Sequence, residues 1–379
     1  MTKTQARLVL LISQLPHGGA QKQLAELAVR LKQRGWDVRV VLIAGFVTEQ
    51  YQHILDKGAV EVISLGFPPR TFDLRIPFRL ARVLRAQNIT VLHSFLVFAN
   101  LMARLSRLFY RVPVQISSVR NVYEGGRRRE ILYRLTDPLC DVTTQNSERG
   151  AQRYIDIGAV PAHKMRVIPN GIDVDRYKPD AATRQQVRIE LDVDDRFVWL
   201  AVGRLAPAKN YPLLFRAFQM AMAHHPDAVL FVAGDGDLRA DLETFIIEHD
   251  LVGRIRLLGK RDDIPALLNA ADALVLASSW EGMANVLLEA GAAALPVVAS
   301  DTGACREIVL DGDSGFIVPT NDLEMLAVRM KALTEKSISD RRAMGQRGRE
   351  HIGAHFSFEQ AVSQWEEIYC ELLDGKSVT

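Results

Sequence analysis

Runs rich in Val, Ile and Leu alternate with stretches of helical periodicity along almost the whole chain, and this constrains its fold more than any other feature. In the first half the pattern predicts strands at 7–13, 37–43, 60–65, 89–93, 113–118, 141–146 and 166–169. In the second half it predicts strands at 197–202, 228–233, 256–258, 273–277, 297–300 and 316–318, with helices at 211–224, 237–249, 264–269, 285–294 and 323–334. Leu24, Leu27, Ala28 and Leu31 recur at i, i+3, i+4 and i+7, one apolar stripe on the first helix, and Gly35 stands where that helix needs a C-cap. Strand–helix–strand units in series imply an α/β fold with parallel sheets covered on both faces. The plan occurs twice without a residue-level repeat. The stretch from Pro169-Asn170-Gly171 to Pro179 carries turn chemistry and marks the join.

Length supports two modules. A chain of 379 residues holds two cores at ~150 residues per domain. With 48% apolar and 24% charged residues it is neither disordered nor fibrous. No apolar run approaches the ~18 residues of a membrane-spanning helix. Lys3 and Arg7 precede only a short apolar run, Leu8 to Ile12, which suits a first strand better than a signal-peptide core. Cys140, Cys305 and Cys370 lie far apart with no CxxC, so neither a disulfide framework nor a zinc site is indicated, and a reduced, cytoplasmic protein is expected. At the other end, Phe358, Ala361, Val362, Trp365, Ile368, Tyr369 and Leu372 form a wide apolar helix face that must dock on a core.

Three clusters carry the chemistry. Gly18-Gly19 lie between the first strand and the first helix, where they serve either as a plain turn or as an anion site at a helix N-terminus. Gly203-Arg204 to Lys209-Asn210 follow a strand and lead into a helix. Two cations at that place suit a diphosphate, Arg as a two-pronged grip and Lys as a mobile point charge; the alternative is a solvated basic loop. In the run from Ser278 to Ala290, Glu281 belongs on a loop at the carboxyl edge of a sheet. Glu289 falls about one turn into the next helix, where apolar neighbours argue against full exposure. Gly282 makes the turn, and the N–H groups of Ala284, Asn285 and Val286 are placed to hold phosphate, with Glu289 accepting from ribose hydroxyls. Gly234-Asp235-Gly236 and Gly259-Lys260-Arg261 close neighbouring strands along the same edge. The Asp-x-Asp pairs 173/175, 192/194, 235/237 and 311/313 read as turn and cap residues, so no metal is expected.

With these residues in view, the chain resembles the family 4 retaining glycosyltransferases of the GT-B architecture, nearly end to end. The likeness rests on Gly203-Arg204 with Lys209, Gly234-Asp235-Gly236, Glu281-Gly282-Met283 with Asn285 to Ala290, Gly303 with Glu307, and the join Pro169 to Asp173. It implies two facing Rossmann-like domains, 1–169 for the acceptor and 170–355 for the nucleotide-sugar, with 356–379 crossing back onto the first. It implies that Arg204 and Lys209 neutralise the donor diphosphate, Glu281 addresses the sugar or phosphate, Glu289 the ribose, and Lys260-Arg261 pass the base through backbone. Met283 joins that donor-binding run, and Gly18-Gly19 line the crevice from the opposite domain. The reaction implied is transfer of a sugar from a nucleoside diphosphate, UDP rather than GDP, to an acceptor hydroxyl with retention, by front-face displacement and without cofactor. Two positions depart from the pattern: the run after the fourth strand keeps His93 but has Phe95 and Phe98 where histidines often appear, and Gln21 stands where many relatives have Glu. His93 is either the residue that polarises the acceptor or a packed strand-end histidine. The stretch 118–127 resembles one in bacterial surface-polysaccharide transferases, which makes Arg120 and Asn121 acceptor-binding candidates.

Charge is lopsided. Residues 70–134 hold thirteen Arg, no Lys and three acids, a local +10 in a chain of net +2. Arg75, Arg79 and Arg82 form one helical stripe, and Arg104, Arg107 and Arg111 a second, opposite Leu101, Leu105 and Leu108. They are either solvated faces or an attraction to an anionic membrane surface, where a lipid-linked glycan acceptor would be met; nucleic acid is disfavoured for want of interleaved aromatics. The expected protein is a cytoplasmic-face, peripheral membrane enzyme of polysaccharide or lipopolysaccharide synthesis. Rival readings are a nucleotide-sugar epimerase of related fold, a sugar phosphorylase, and a non-catalytic nucleotide-sugar scaffold.

Overall fold

The computed structural model describes residues 6–69, 73–122, 126–193 and 195–377. Lys3, Arg70, residues 123–125 and Asp194 lie outside them. The chain divides into two units: one runs up to Gly171 and resumes at Phe358, the other is Ile172–Ser357.

The first unit is a seven-stranded sheet of β1 (Arg7–Ile12), β2 (Asp37–Leu42), β3 (Glu61–Ser64), β4 (Val91–Phe95), β5 (Val114–Ser118), β6 (Val142–Gln145) and β7 (Met165–Val167). Its order is β3-β2-β1-β4-β5-β6-β7, and every pairing is parallel. Helices α1 (Gly19–Gln33), α2 (Glu49–Lys57), α3 (Arg75–Ala86), α4 (Val97–Ser106), α5 (Arg127–Thr136) and α6 (Glu148–Asp156) link the strands. The second unit repeats this with α7 (Ala181–Glu190), β8 (Val198–Val202), α8 (Tyr211–Ala221), β9 (Val229–Ala233), α9 (Arg239–Glu248), β10 (Ile255–Gly259) and α10 (Ile264–Ala270). It continues through β11 (Ala273–Leu276), α11 (Asn285–Ala292), β12 (Val297–Ser300), α12 (Cys305–Ile308), β13 (Gly315–Val318), α13 (Leu323–Thr334) and α14 (Ile338–His355). Its sheet runs β10-β9-β8-β11-β12-β13, again all parallel.

All thirteen predicted strands form. Their near-continuous apolar runs are those of sheets buried on both faces, and each unit accordingly has two cores, one per face. In both sheets the order reverses beside the first strand of the unit, between β1 and β4 and between β8 and β11, and such a switch point opens a crevice at the carboxyl ends of the strands.

The last helix, α15 (Phe358–Ser377), returns to the first unit. Its Val362, Trp365, Ile368, Tyr369 and Leu373 join Leu10, Trp36 and Ile116 in one core, and Leu373 rather than Leu372 is the fully buried leucine. Arg34 fastens the helix with ion pairs to Glu359 and, at 2.6 Å, Glu366, while Trp36 Nε1–H donates to Glu366 Oε1 at 2.7 Å. At the chain's first exit from this unit, Gln23 grips the backbone of Gly171 with both ends of its amide, at 2.8 and 3.0 Å. Phe358 packs on the same glycine so closely that a Cβ there would meet its ring at 2.6 Å.

Two expectations are corrected. The fourth strand starts two residues late because Ile89 N–H is taken by Leu84 O at the end of α3, which leaves His93 in mid-strand. The second arginine stripe faces water only at Arg111. Arg104 is fully buried and donates to Ser117 Oγ, Tyr133 O, Thr136 Oγ1 and Thr143 Oγ1, with the Tyr133 ring 4.5 Å from its guanidinium carbon. Arg107 pairs with Asp141 at 2.9 Å, and Leu108, expected inside, is exposed. The periodicity fails because α4 ends at Ser106, and Arg104 satisfies its donors on polar groups that β5, β6 and α5 turn inward.

Candidate functional site

At the switch point of the second sheet, the loop after β8 closes with a 3-10 turn, Pro207–Lys209, and Asn210 in the left-handed region at φ +48°. This aims Lys209 Nζ at Glu281 Oε1, 2.6 Å away on the loop after β11; both side chains remain partly exposed. Ser278 Oγ donates to the same carboxylate oxygen at 2.7 Å. Tyr211 OH donates to Gly203 O at 2.9 Å; burial, with Glu281 as a lesser cause, raises the phenol's pKa, so it stays a neutral donor. Arg204 is exposed, and among the described residues its side chain has no hydrogen-bond or ion-pair partner. One cation is thus neutralised by a carboxylate and a second is left open, both on the loop after β8 at the carboxyl edge of the sheet.

Glycines allow the loops to close on one another. A Cβ on Gly234 would run into Gly203 O, and one on Gly303, at φ +52°, would run into Gly282 O. Ala304 N–H in turn donates to Gly282 O at 2.9 Å, fixing the backbone beside Glu281. Gly282, Met283 and Ala284 are buried, and Ala284, the N-cap residue of α11, supplies no side-chain cap. Glu289 lies in that helix, buried, accepting from Tyr177 OH at 3.0 Å, so it is not an exposed helix residue. Arg261 is tied to Asp263 at 2.6 Å and to Glu190, and these hydrogen bonds raise its pKa, so its guanidinium is held within that loop.

In the first unit Gly18 caps α1, and Tyr51 OH donates to Gly18 O at 3.1 Å. His93 does not present itself to a ligand, which corrects its expected contact with the acceptor. It is fully buried, with Nδ1 hydrogen-bonded to Tyr369 OH and Nε2 to Ser118 Oγ, both at 2.7 Å. The rings of Phe95 and Trp365 pack at a tilt against it, with centroids 4.2 and 4.4 Å away. Burial first, and the charge of Arg120 second, hold its pKa well below the usual histidine value, so it is a neutral core group. Arg120 is itself buried, donating to Asn170 Oδ1 at 2.9 Å, whereas Asn121 is exposed.

Tyr177 and Tyr211 are the site residues that sequence reasoning missed, and Ser278, at the head of its cluster, was given no role. Tyr211 stands two after Lys209, near enough to have been weighed; Tyr177 comes from a distant segment with no sequence signal. Of the Asp-x-Asp pairs, Asp173 and Asp235 accept backbone N–H groups within their own turns, Asp311 accepts from Ile317 N–H on β13, and Asp313 pairs with Arg347. Among the described residues no group of three His, Cys, Asp or Glu is placed to hold a metal.

Two parallel doubly wound units, the second with two cations and a carboxylate on the loops at its switch point, describe a group-transfer enzyme. Two family models match, "Glycosyl transferases group 1" over residues 183–351 and "Glycosyltransferase Family 4" over residues 17–176. The chain belongs to glycosyltransferase family 4, and its fold is GT-B. It is similar to the UDP-Gal:alpha-D-GlcNAc-diphosphoundecaprenol alpha-1,3-galactosyltransferase of Escherichia coli, 26% identical over 80% of this chain and 81% of the relative. It is also similar to the lipopolysaccharide core biosynthesis glycosyltransferase LpsE of Rhizobium meliloti, 27% identical over 95% and 96%. Among solved structures, Anabaena Alr3699/HepE in complex with UDP superposes with a TM-score of 0.85 at 21% identity, over 96% of this chain and 100% of that one.

Proposed function

We propose that this glycosyltransferase moves a sugar from a UDP-sugar to a hydroxyl of a lipid-linked glycan, with retention, in bacterial cell-surface polysaccharide synthesis. The observation that carries this is the open Arg204 beside the Lys209–Glu281 pair at the switch point of the second sheet. In transfer the sugar–phosphate bond breaks, the acceptor oxygen bonds to the same carbon on the same face, and the hydroxyl proton passes to the departing diphosphate. Negative charge gathers on that diphosphate, so cations aimed there stabilise the transition state more than the bound donor. Glu281 keeps Lys209 in place until phosphate arrives, and Glu289 takes the ribose. The second unit is the donor domain; the first takes the acceptor, with Asn121 as its exposed candidate. UDP is favoured over GDP by the donor of the E. coli relative and the ligand of HepE. In a thermal-shift panel UDP should raise the melting temperature at concentrations where GDP and ADP do not; saturation at about 100 Kd adds about 2.7 kcal/mol. Equal shifts for UDP and GDP would remove the UDP assignment.

A membrane-facing location is part of the same reading. No helix among the described residues is long and apolar enough to cross a membrane. On α5, however, Ile131, Leu132 and Leu135 are exposed among exposed Arg127, Arg128, Arg129 and Arg134; Leu135 is 70% exposed. An apolar ridge flanked by arginine suits an anionic bilayer surface, at about 1 kcal/mol per basic residue close to the lipid. Flotation with phosphatidylglycerol-containing vesicles should succeed at low salt and weaken about tenfold or more in Leu135→Asp. Binding unaffected by salt and by that substitution would reject this location.

A further inference from the structure

Trp280 stands on the loop between β11 and α11, one residue before Glu281, and is 54% exposed. The chain has four tryptophans, and Trp36, Trp199 and Trp365 are all buried. Among the described residues the Trp280 indole has no hydrogen-bond, ring or cation partner. The backbone around it is nonetheless tightly held. Ser279 N–H donates to Ala208 O at 2.8 Å, and Gly282 O accepts from Ala304 N–H. Ser279 Oγ donates to Asn321 Oδ1 at 3.0 Å, and the same oxygen accepts from Asn210 Nδ2 at 3.0 Å. Asn210 and Asn321 both adopt left-handed backbone, φ +48° and +63°, which asparagine tolerates better than most residues. Asn321 thereby stitches together the loops that carry Lys209 and Glu281, and Trp280 is left outside the stitch. A large amphipathic ring kept in water on a preorganised loop suits a ligand surface better than a packing element.

The sheet order says which part of a ligand that would be, granted the donor site proposed above. Along the carboxyl edge the loops follow the order β10, β9, β8, β11. The base-side loop after β10 and the loop of Trp280 are therefore three strand spacings apart, about 14 Å, with the phosphate-seeking cations of the β8 loop between them. Trp280 lies at the sugar end. We propose that Trp280 is a stacking platform for a pyranose ring. The C–H face of the sugar covers the indole, and Nε1–H is open to a hydroxyl. The ring belongs either to the donor or to the acceptor, and the experiment separates them.

The difference in emission between wild type and Trp280→Phe isolates the signal of Trp280. UDP alone should leave that signal and its quenching by iodide unchanged. A panel of UDP-glucose, UDP-galactose and UDP-N-acetylglucosamine should shift it to the blue and shield it from iodide if the ring is the donor's. A short-chain lipid diphosphate bearing N-acetylglucosamine should do so without donor if the ring is the acceptor's. Trp280→Ala should raise KM for that substrate about tenfold with kcat nearly unchanged, and Trp280→Phe should recover most of it. The platform is overturned if UDP still raises the melting temperature while every sugar leaves the indole open, or if KM in Trp280→Ala is unchanged. Shielding by vesicles alone would overturn it in favour of a lipid contact. A failure of UDP to bind would count against the donor site and not against the platform alone.

Discussion

Lys209→Ala and Glu281→Ala should each lower kcat by about 10²–10³, the usual effect of removing one group that meets charge developing in a transition state. The Lys209 ammonium, held at 2.6 Å from Glu281, is the preorganised cation of the site. Its removal should therefore act on kcat more than on donor KM, whereas loss of the open Arg204 should also weaken donor binding. Because Lys209 and Glu281 act as a pair, the double substitution should cost little more than either alone. Both side chains sit at a partly exposed loop edge, so the variants should melt close to wild type. Initial rates under donor saturation test this. A Lys209→Ala enzyme within threefold of wild-type kcat would remove the lysine from the reaction.

Trp365→Ala should destabilise the first unit by about 3–5 kcal/mol, the range for deleting a large aromatic from a filled core. Its ring lies 4.4 Å from His93 and is enclosed with Tyr369 and Trp36. Urea unfolding followed by circular dichroism reads the loss; a change under 1 kcal/mol would show that α15 is not part of that core. The same core has a pH signature. Burial keeps native His93 neutral at pH values where the unfolded chain takes up a proton, so its contribution is complete above about pH 6.5. Stability then falls as pH drops below that value toward the lower native pKa, by at most about 1.4 kcal/mol per pH unit. His93→Gln should flatten that part of the slope.

Strand periodicity was legible because a doubly covered parallel sheet demands long apolar runs, and helices between them leave few topologies. The placement of Arg204, Lys209 and Glu281 on loops at the sheet edge, and of Glu289 inside the helix that follows, was also legible, since each segment is a recognisable strand-to-helix step. The arginine stripe through Arg104 was misread because helical spacing records which residues share a face, not what the neighbouring elements turn toward it. His93 was ambiguous for a related reason: its partners Ser118 and Tyr369 are 25 and 276 residues away.

The sequence by itself determined two α/β modules, a join near Gly171, a terminal helix with a core-seeking face, and the loops that carry charge at the sheet edge. These are local properties, set by side-chain period and turn chemistry within a few residues. Only the tertiary structure decided that Lys209 is paired while Arg204 is open, that Tyr177 supports Glu289, that His93 is sealed in a core, and that Trp280 is the one tryptophan left in water. Each of those depends on which distant groups arrive at hydrogen-bonding or packing distance, and that is settled by the folding of the whole chain.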